Sequence, residues 1–368
     1  MKYVIDKGKY NMDYSSIPKL KIDVSSLAIP EGRMVGSKGH DRARNYLNKR
    51  MESLELHPYS GNTFILPYRS EGQNFFNIIG TVPGRDSSLK PLIIGAHYDS
   101  VIAAPCADDN AAAVAVALGC AETIRPYQLS RDIVIALFDA EEPPYFQTGG
   151  MGSIRFYEDQ MDDRGVHSAI IMDLVGHDVT IPGELIELLS LFTEMIPVES
   201  SYENPDKQLV RILSGLLFIT GAESHGKLVE LLRHTEPPEG LQVLAALNSY
   251  VGDMSDQGIF RKNGIPYLFL SCGRWLHYHQ PTDTVDRLNF NKIQSVMTHL
   301  INIVTKLSGQ ELKDLPIQPV DTVDLEITLM QRTFGELLPM VMEILSLKQM
   351  KSREDLDKFA KTLLAMGL

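Results

Sequence analysis

Apolar and polar positions along the chain alternate between two rhythms. From 37 to 55, Ala43, Tyr46, Leu47, Met51 and Leu54 recur at helical spacing, which predicts a helix. Residues 64–66 and 77–82 read as strands, the second closed by Pro83-Gly84. Continuous apolar runs follow at 91–96, 133–138 and 169–174, as expected of strands covered on both faces. An alanine-rich helix is predicted over 110–124 and a further helix over 151–160. Strands at 216–220, 243–246 and 267–270 and helices near 226–235 and 289–307 complete the series. Such alternation predicts the α/β class: a mainly parallel, twisted sheet with helices on both faces.

The flanks read differently. Residues 1–35 form an irregular lead-in with a helix or two, and 36–310 form the main domain. Within it, 178–213 holds Pro182, Pro197 and Pro205 and reads as a lid or insertion. Residues 311–368 form a C-terminal extension with amphipathic helices near 322–347 and 352–366. These either pack on the main domain or build a homo-oligomer interface.

Composition narrows the function classes. Of 368 residues 44% are hydrophobic and 22% charged, enough for a sizeable core. A net charge of −12 argues against nucleic acid and anionic membrane as partners. No run of about 18 apolar residues suggests a membrane span. The charged stretch at the N-terminus has no apolar leader, so the expected compartment is the cytoplasm. Three cysteines without CxxC spacing, Cys106, Cys120 and Cys272, suggest neither a disulfide framework nor a thiolate metal site.

Candidate chemistry gathers where buried strands end, the edge at which open α/β sheets bind ligands. His97 follows the run at 91–96, with Asp99 two residues on and placed to hold the other ring nitrogen. Asp108 and Asp109 open the alanine-rich helix, where a plain N-cap is the competing reading. Glu141 and Glu142 follow the run at 133–138; adjacent carboxylates repel unless a cation relieves them. Asp173 interrupts an apolar run, and His277 and His279 share a late loop. Carboxylates mixed with imidazoles, without thiolates, suit zinc or a similar divalent ion.

The wording of these segments resembles a zinc peptidase family. It includes bacterial leucyl-type aminopeptidases, glutamate carboxypeptidase, glutaminyl cyclase and the metal-free transferrin receptor domain. The matching words are Gly95-Ala96-His97-Tyr98-Asp99-Ser100, Ala107-Asp108-Asp109-Asn110-Ala111, Phe138-Asp139-Ala140-Glu141-Glu142, Met151-Gly152-Ser153, Met172-Asp173 and Tyr278-His279-Gln280-Pro281-Thr282-Asp283-Thr284. Gly36-Ser37-Lys38-Gly39-His40 is similar to a family segment before the first helix. The resemblance covers roughly 35–310 and implies the zinc exopeptidase fold with two Zn2+ ions, or another divalent metal. It implies that His97 and Asp173 bind one ion, Glu142 and His279 the other, and that Asp108 bridges them. Glu141 would be the general base for a metal-bridging hydroxide, and Asp99 would orient His97.

The implied activity is that of a di-zinc aminopeptidase acting on a peptide or small amide. Two departures bear on specificity: the stretch from Glu142 to Gly152 is longer than usual, and the family's Ser-Asp-His triplet reads Ser255-Asp256-Gln257. The long stretch keeps a one-zinc glutaminyl cyclase in view, beside a carboxypeptidase or amidohydrolase of the same family. A non-catalytic binding domain is disfavoured, because no expected ligand is missing.

Overall fold

The computed structural model describes residues 16–179, 205–313, 315–345 and 347–365. Its strands, among the described residues, are β1 (His57–Pro58), β2 (Ile65–Ser70), β3 (Gln73–Val82), β4 (Leu92–His97), β5 (Ile133–Phe138), β6 (Ser168–Met172), β7 (Leu216–Thr220), β8 (Gln242–Ala245) and β9 (Tyr267–Ser271). They form one sheet in the order β1-β3-β5-β4-β6-β9-β7-β8, with β2 also paired to β3. Its centre, β5-β4-β6-β9, is parallel; β3 joins β5, and β7 joins β9, antiparallel. The α/β class and the parallel heart of the sheet are therefore as expected, with antiparallel margins.

The central strands are buried along their whole length, which explains their unbroken apolar sequence. Their register decides where chemistry can gather. His97 pairs with Phe138, so Asp139 to Glu142 begin one step beyond it. Gly95 pairs with Ile171, which sets Asp173 level with His97. Met172 pairs with Leu270, so the loop after β9 opens at the same edge.

Helices cover both faces. They are α1 (Ile17–Leu27), α2 (Lys38–Ser53), α3 (Ala113–Ile124), α4 (Gly152–Arg155), α5 (Pro205–Ser214), α6 (Gly226–Arg233), α7 (Gln257–Lys262), α8 (Phe290–Ser308), α9 (Val323–Phe334), α10 (Leu338–Ile344) and α11 (Arg353–Ala365). Ser37 caps α2 by accepting from the His40 N–H at 3.1 Å. Asn289 caps α8 through the N–H groups of Asn291 and Lys292. Most of α3 is small and buried, and it packs on β4, β5, α1 and α8.

Two expected helices differ. The one foreseen over 110–124 begins at Ala113. Residues Ala107–Ala112 form a wide turn in which Asp109 and Asn110 leave helical dihedral angles. The one foreseen over 322–347 is broken: Gly335 takes φ 50°, a short turn follows, and Pro339 then serves the first turn of α10. Of the lid or insertion foreseen over 178–213, residues 180–204 lie outside the described residues; α5 follows them. The helices α9 and α11 contact each other, and α9 lies against β8 and α6.

Candidate metal centre

Five chain segments converge at the carboxyl edge of the parallel strands. His97, at the end of β4, is fully buried and central. Its Nε2 lies 3.4 Å from Asp109 Oδ1, 3.6 Å from Asp173 Oδ1 and 3.8 Å from Glu141 Oε2. On the other side, His279 Nε2 lies 3.3 Å from Asp109 Oδ2 and 3.2 Å from Glu142 Oε2. The Asp109 carboxylate thus presents one oxygen to each histidine. Two groups of potential metal ligands, His97-Asp109-Asp173 and Asp109-Glu142-His279, share it, and a third joins His97, Glu141 and Glu142.

These separations suit cation ligation better than direct hydrogen bonding. Donor atoms about 2.1 Å from a common tetrahedral ion stand about 3.4 Å from one another. Both ring nitrogens of His97, His279 Nε2, Asp109 Oδ2, Glu142 Oε1 and Asp173 Oδ1 are buried without a hydrogen-bond partner. Buried polar atoms are normally satisfied, and here several orphans point into one cluster.

The electrostatics agree. Burial, with Asp173, Asp256 and Glu142, holds Glu141 well above the usual carboxylate range, although His97 opposes this. Burial and Asp109 push Glu142 up to about 8. Burial alone would lower His279, but Asp109 and Glu142 raise it to about 10. The cluster holds more negative charge than its histidines offset, a deficit that either protons or a cation can fill.

The expected bridge moves by one residue. The fully buried Asp108 turns away from the cluster: its Oδ1 accepts from the Gly176 N–H at 2.6 Å and its Oδ2 from His177 Nδ1 at 2.5 Å. His177 in turn stacks on Trp275. Asp109 takes the shared position because the wide turn, rather than a regular helix, carries these two acids. His97, Glu142, Asp173 and His279 lie together where the sequence reading grouped them. Glu141 stands beside His97. His277 is half-buried and bonds through Nδ1 with Thr282 Oγ1.

Asp99 reaches further than expected. One carboxylate oxygen is 3.3 Å from His97 Nδ1 and also accepts from the Glu141 N–H at 3.1 Å; the other accepts from the Glu142 N–H at 3.1 Å. It therefore steadies the loop after β5 as well as the histidine ring. Asp139 braces the same loop: His40, in α2, donates to it at 2.8 Å, and the Phe76 N–H donates at 2.7 Å.

The sequence reading assigned no role to several other residues. Asp283 accepts from the N–H groups of Asp108 and Asp109 at 2.8 and 3.0 Å and so holds the wide turn. Burial and Asp108 push its carboxyl up to about 7. Asp256 is fully buried, and burial is the main cause that raises it to about 7. Both stand in segments already singled out, Thr282-Asp283-Thr284 and Ser255-Asp256-Gln257, and that was the available signal. Tyr278, 40% exposed, stacks on His279 at 3.7 Å between ring centres and forms an outer wall.

The fold is shared with solved zinc-dependent exopeptidases, and one segment of the chain matches the model of a peptidase family. Residues 77–183 match the model of Peptidase family M28, a stretch that includes His97, Asp109, Glu141, Glu142 and Asp173. Over 245 residues the chain is 25% identical to the uncharacterized protein YfbL of Escherichia coli (strain K12), covering 63% of this chain and 71% of that one. The LapA aminopeptidase of Legionella pneumophila superposes with a TM-score of 0.59 at 14% identity, over 80% of this chain and 71% of that one. The glutaminyl cyclase of Bacteroides thetaiotaomicron superposes at 0.54 and 15% identity, over 82% of this chain and 100% of that one. At these identities the likeness to the two structures is one of fold. Among the described residues, no helix is long and apolar enough to cross a membrane.

Proposed function

We propose that this chain is a zinc-dependent aminopeptidase that removes N-terminal residues from peptides at a two-ion centre. The carrying observation is the Asp109 carboxylate, shared by two ligand groups whose atoms are spaced for ligation. His97, Asp173 and Asp109 would hold one ion, and Glu142, His279 and Asp109 the other. Bound there, the ions would polarise the scissile carbonyl and acidify water.

The chain's own groups supply the rest. Glu141 is near the cluster yet farther from His97 than Asp109 and Asp173 are, which leaves its carboxylate free to exchange protons. It takes a proton from the attacking water and returns it to the departing amine nitrogen. Asp99 fixes the backbone of Glu141 and Glu142, so that base and ligand keep one geometry. The ion partners of the cluster carboxylates are His97 and His279 rather than lysine or arginine.

One observation favours a second reading, a one-zinc glutaminyl cyclase. The long loop after Glu142 is tied in place by Tyr145 donating to Gln73, Tyr68 donating to Gly150 O and Gln147 donating to Asp253 O. Metal counting on purified protein, with free and N-blocked aminoacyl chromogenic substrates assayed with and without chelator, separates the two. Two ions per chain and chelator-sensitive release of N-terminal residues are expected. One ion with pyroglutamate as product would replace the proposal by the cyclase; a chain that takes up no divalent metal would remove both.

A further inference from the structure

Arg33 is fully buried, and among the described residues no carboxylate is bonded to it. A guanidinium has five N–H groups, and its recorded bonds here number five, all to main-chain carbonyls. Nε donates to Tyr98 O at 2.8 Å; Nη1 donates to Leu27 O at 3.0 Å and Pro105 O at 2.7 Å; Nη2 donates to Cys106 O at 2.9 Å and Asp109 O at 3.2 Å. The Arg33 main-chain N–H donates to Ser100 Oγ at 2.7 Å.

These acceptors join the end of α1, the residue after His97, and the wide turn up to Asp109. One rigid fork thus bonds the backbone beside the central histidine and the backbone of the shared carboxylate. Its surroundings are equally close-set. A Cβ on Gly32 would come 2.4 Å from Ile102 O, and one on Gly39 would come 1.8 Å from Gly32 O. Burying an arginine is costly unless its bonds compensate. Here the compensation comes from the main chain that carries two of the proposed ligands.

We propose that Arg33 is a positioning residue of the metal centre: it sets the separation of His97 and Asp109 by holding the main chain beside both. The inference rests on the metal-centre reading above. Lysine in its place keeps the charge but offers three donors from one point, so it leaves some of these carbonyls unbonded.

The molecule supplies a matched control. Arg131, also buried, donates to the carbonyls of Ser308, Lys90 and Gln310 but touches no ligand segment. The experiment compares Arg33→Lys and Arg131→Lys by thermal unfolding, zinc affinity in competition with a chelator, and the visible spectrum of the Co2+-loaded protein. Both variants should lose thermal stability. Only Arg33→Lys should weaken zinc, by about 10–100-fold, and alter the Co2+ spectrum, with kcat falling more than KM changes. Wild-type zinc affinity and spectrum in Arg33→Lys, or equal losses in Arg131→Lys, would overturn the proposal.

If Arg33→Lys does not fold, Ser100→Ala removes the bond to the Arg33 main chain, together with the one Ser100 Oγ donates to Ile102 O, and should weaken zinc by about 3–10-fold; no change there overturns the proposal. If wild-type protein takes up no metal, the reading of the centre fails, and amide hydrogen exchange over Asp108–Ala112 decides this one. Faster exchange in Arg33→Lys than in Arg131→Lys supports the clamp, and equal rates overturn it.

Discussion

At the scale of single residues, neighbouring acids in the centre have opposite tasks. Asp109 offers its two oxygens to two histidines, whereas Asp108 is spent on Gly176 and His177. Asp109→Asn is therefore expected to abolish zinc uptake with the fold retained. Asp108→Asn should keep zinc but lower stability by about 1–3 kcal/mol, because it disturbs a buried hydrogen-bond pair. Metal analysis and urea unfolding of both variants check this, and reversed phenotypes would return the bridge to Asp108. Glu141→Gln should lower kcat by about a hundred- to ten-thousand-fold at unchanged metal content. The sequence brought most of these residues into view because they stand where buried strands stop. It gave the shared position to Asp108 rather than Asp109, because which acid faces the cluster depends on the dihedral angles of a turn with no marker in residue type. Arg33 carried no signal at all; an arginine in a loop is ordinarily solvated.

At the scale of elements, the parallel strands were the most legible part of the chain. Ile133–Phe138 and Leu216–Thr220 have the bounds that their apolar runs predict. The C-terminal helices were less so, since an amphipathic pattern runs on across Gly335 while the backbone does not. Gly335 holds φ 50° and ψ −126°, and a Cβ there would meet nothing within 4 Å. Gly335→Ala should thus cost only conformational strain, about 1–3 kcal/mol. The expected result is a lower urea midpoint with an unchanged slope; a neutral substitution would show that the break between α9 and α10 does not need this geometry. Beyond it, Arg353 reaches Glu326 at 2.8 Å and Thr322 at 2.9 Å, an anchor whose partners lie far back in the sequence.

At the scale of the whole molecule, two buried histidines away from the centre set an acid limit. Burial is the main cause that pushes His167 down to about 3 and His299 down to about 4. When unfolded, both return to about 6.5. Between pH 6.5 and about 4 the unfolded chain therefore binds more protons, and stability falls as pH falls through that window. From pH 7 to 4.5 the unfolding free energy of wild type should shift relative to His299→Leu by up to about 2 kcal/mol, in the variant's favour. Denaturant unfolding across that range measures it, and a constant offset would show that His299 titrates normally in the folded state. Zinc acts on the same balance: at a hundred times its Kd it should add about 2.7 kcal/mol.

The stretch before α2 looks, by position, like something that could be trimmed. Its Gly32 carbonyl lies against Gly39, and the fork next to that glycine is threaded among the loops above the sheet. A shortened protein beginning at residue 41 would lose a keystone instead of a tail. It would leave the carbonyls of Tyr98, Pro105, Cys106 and Asp109 without their guanidinium partner, and Asp139 without its imidazole.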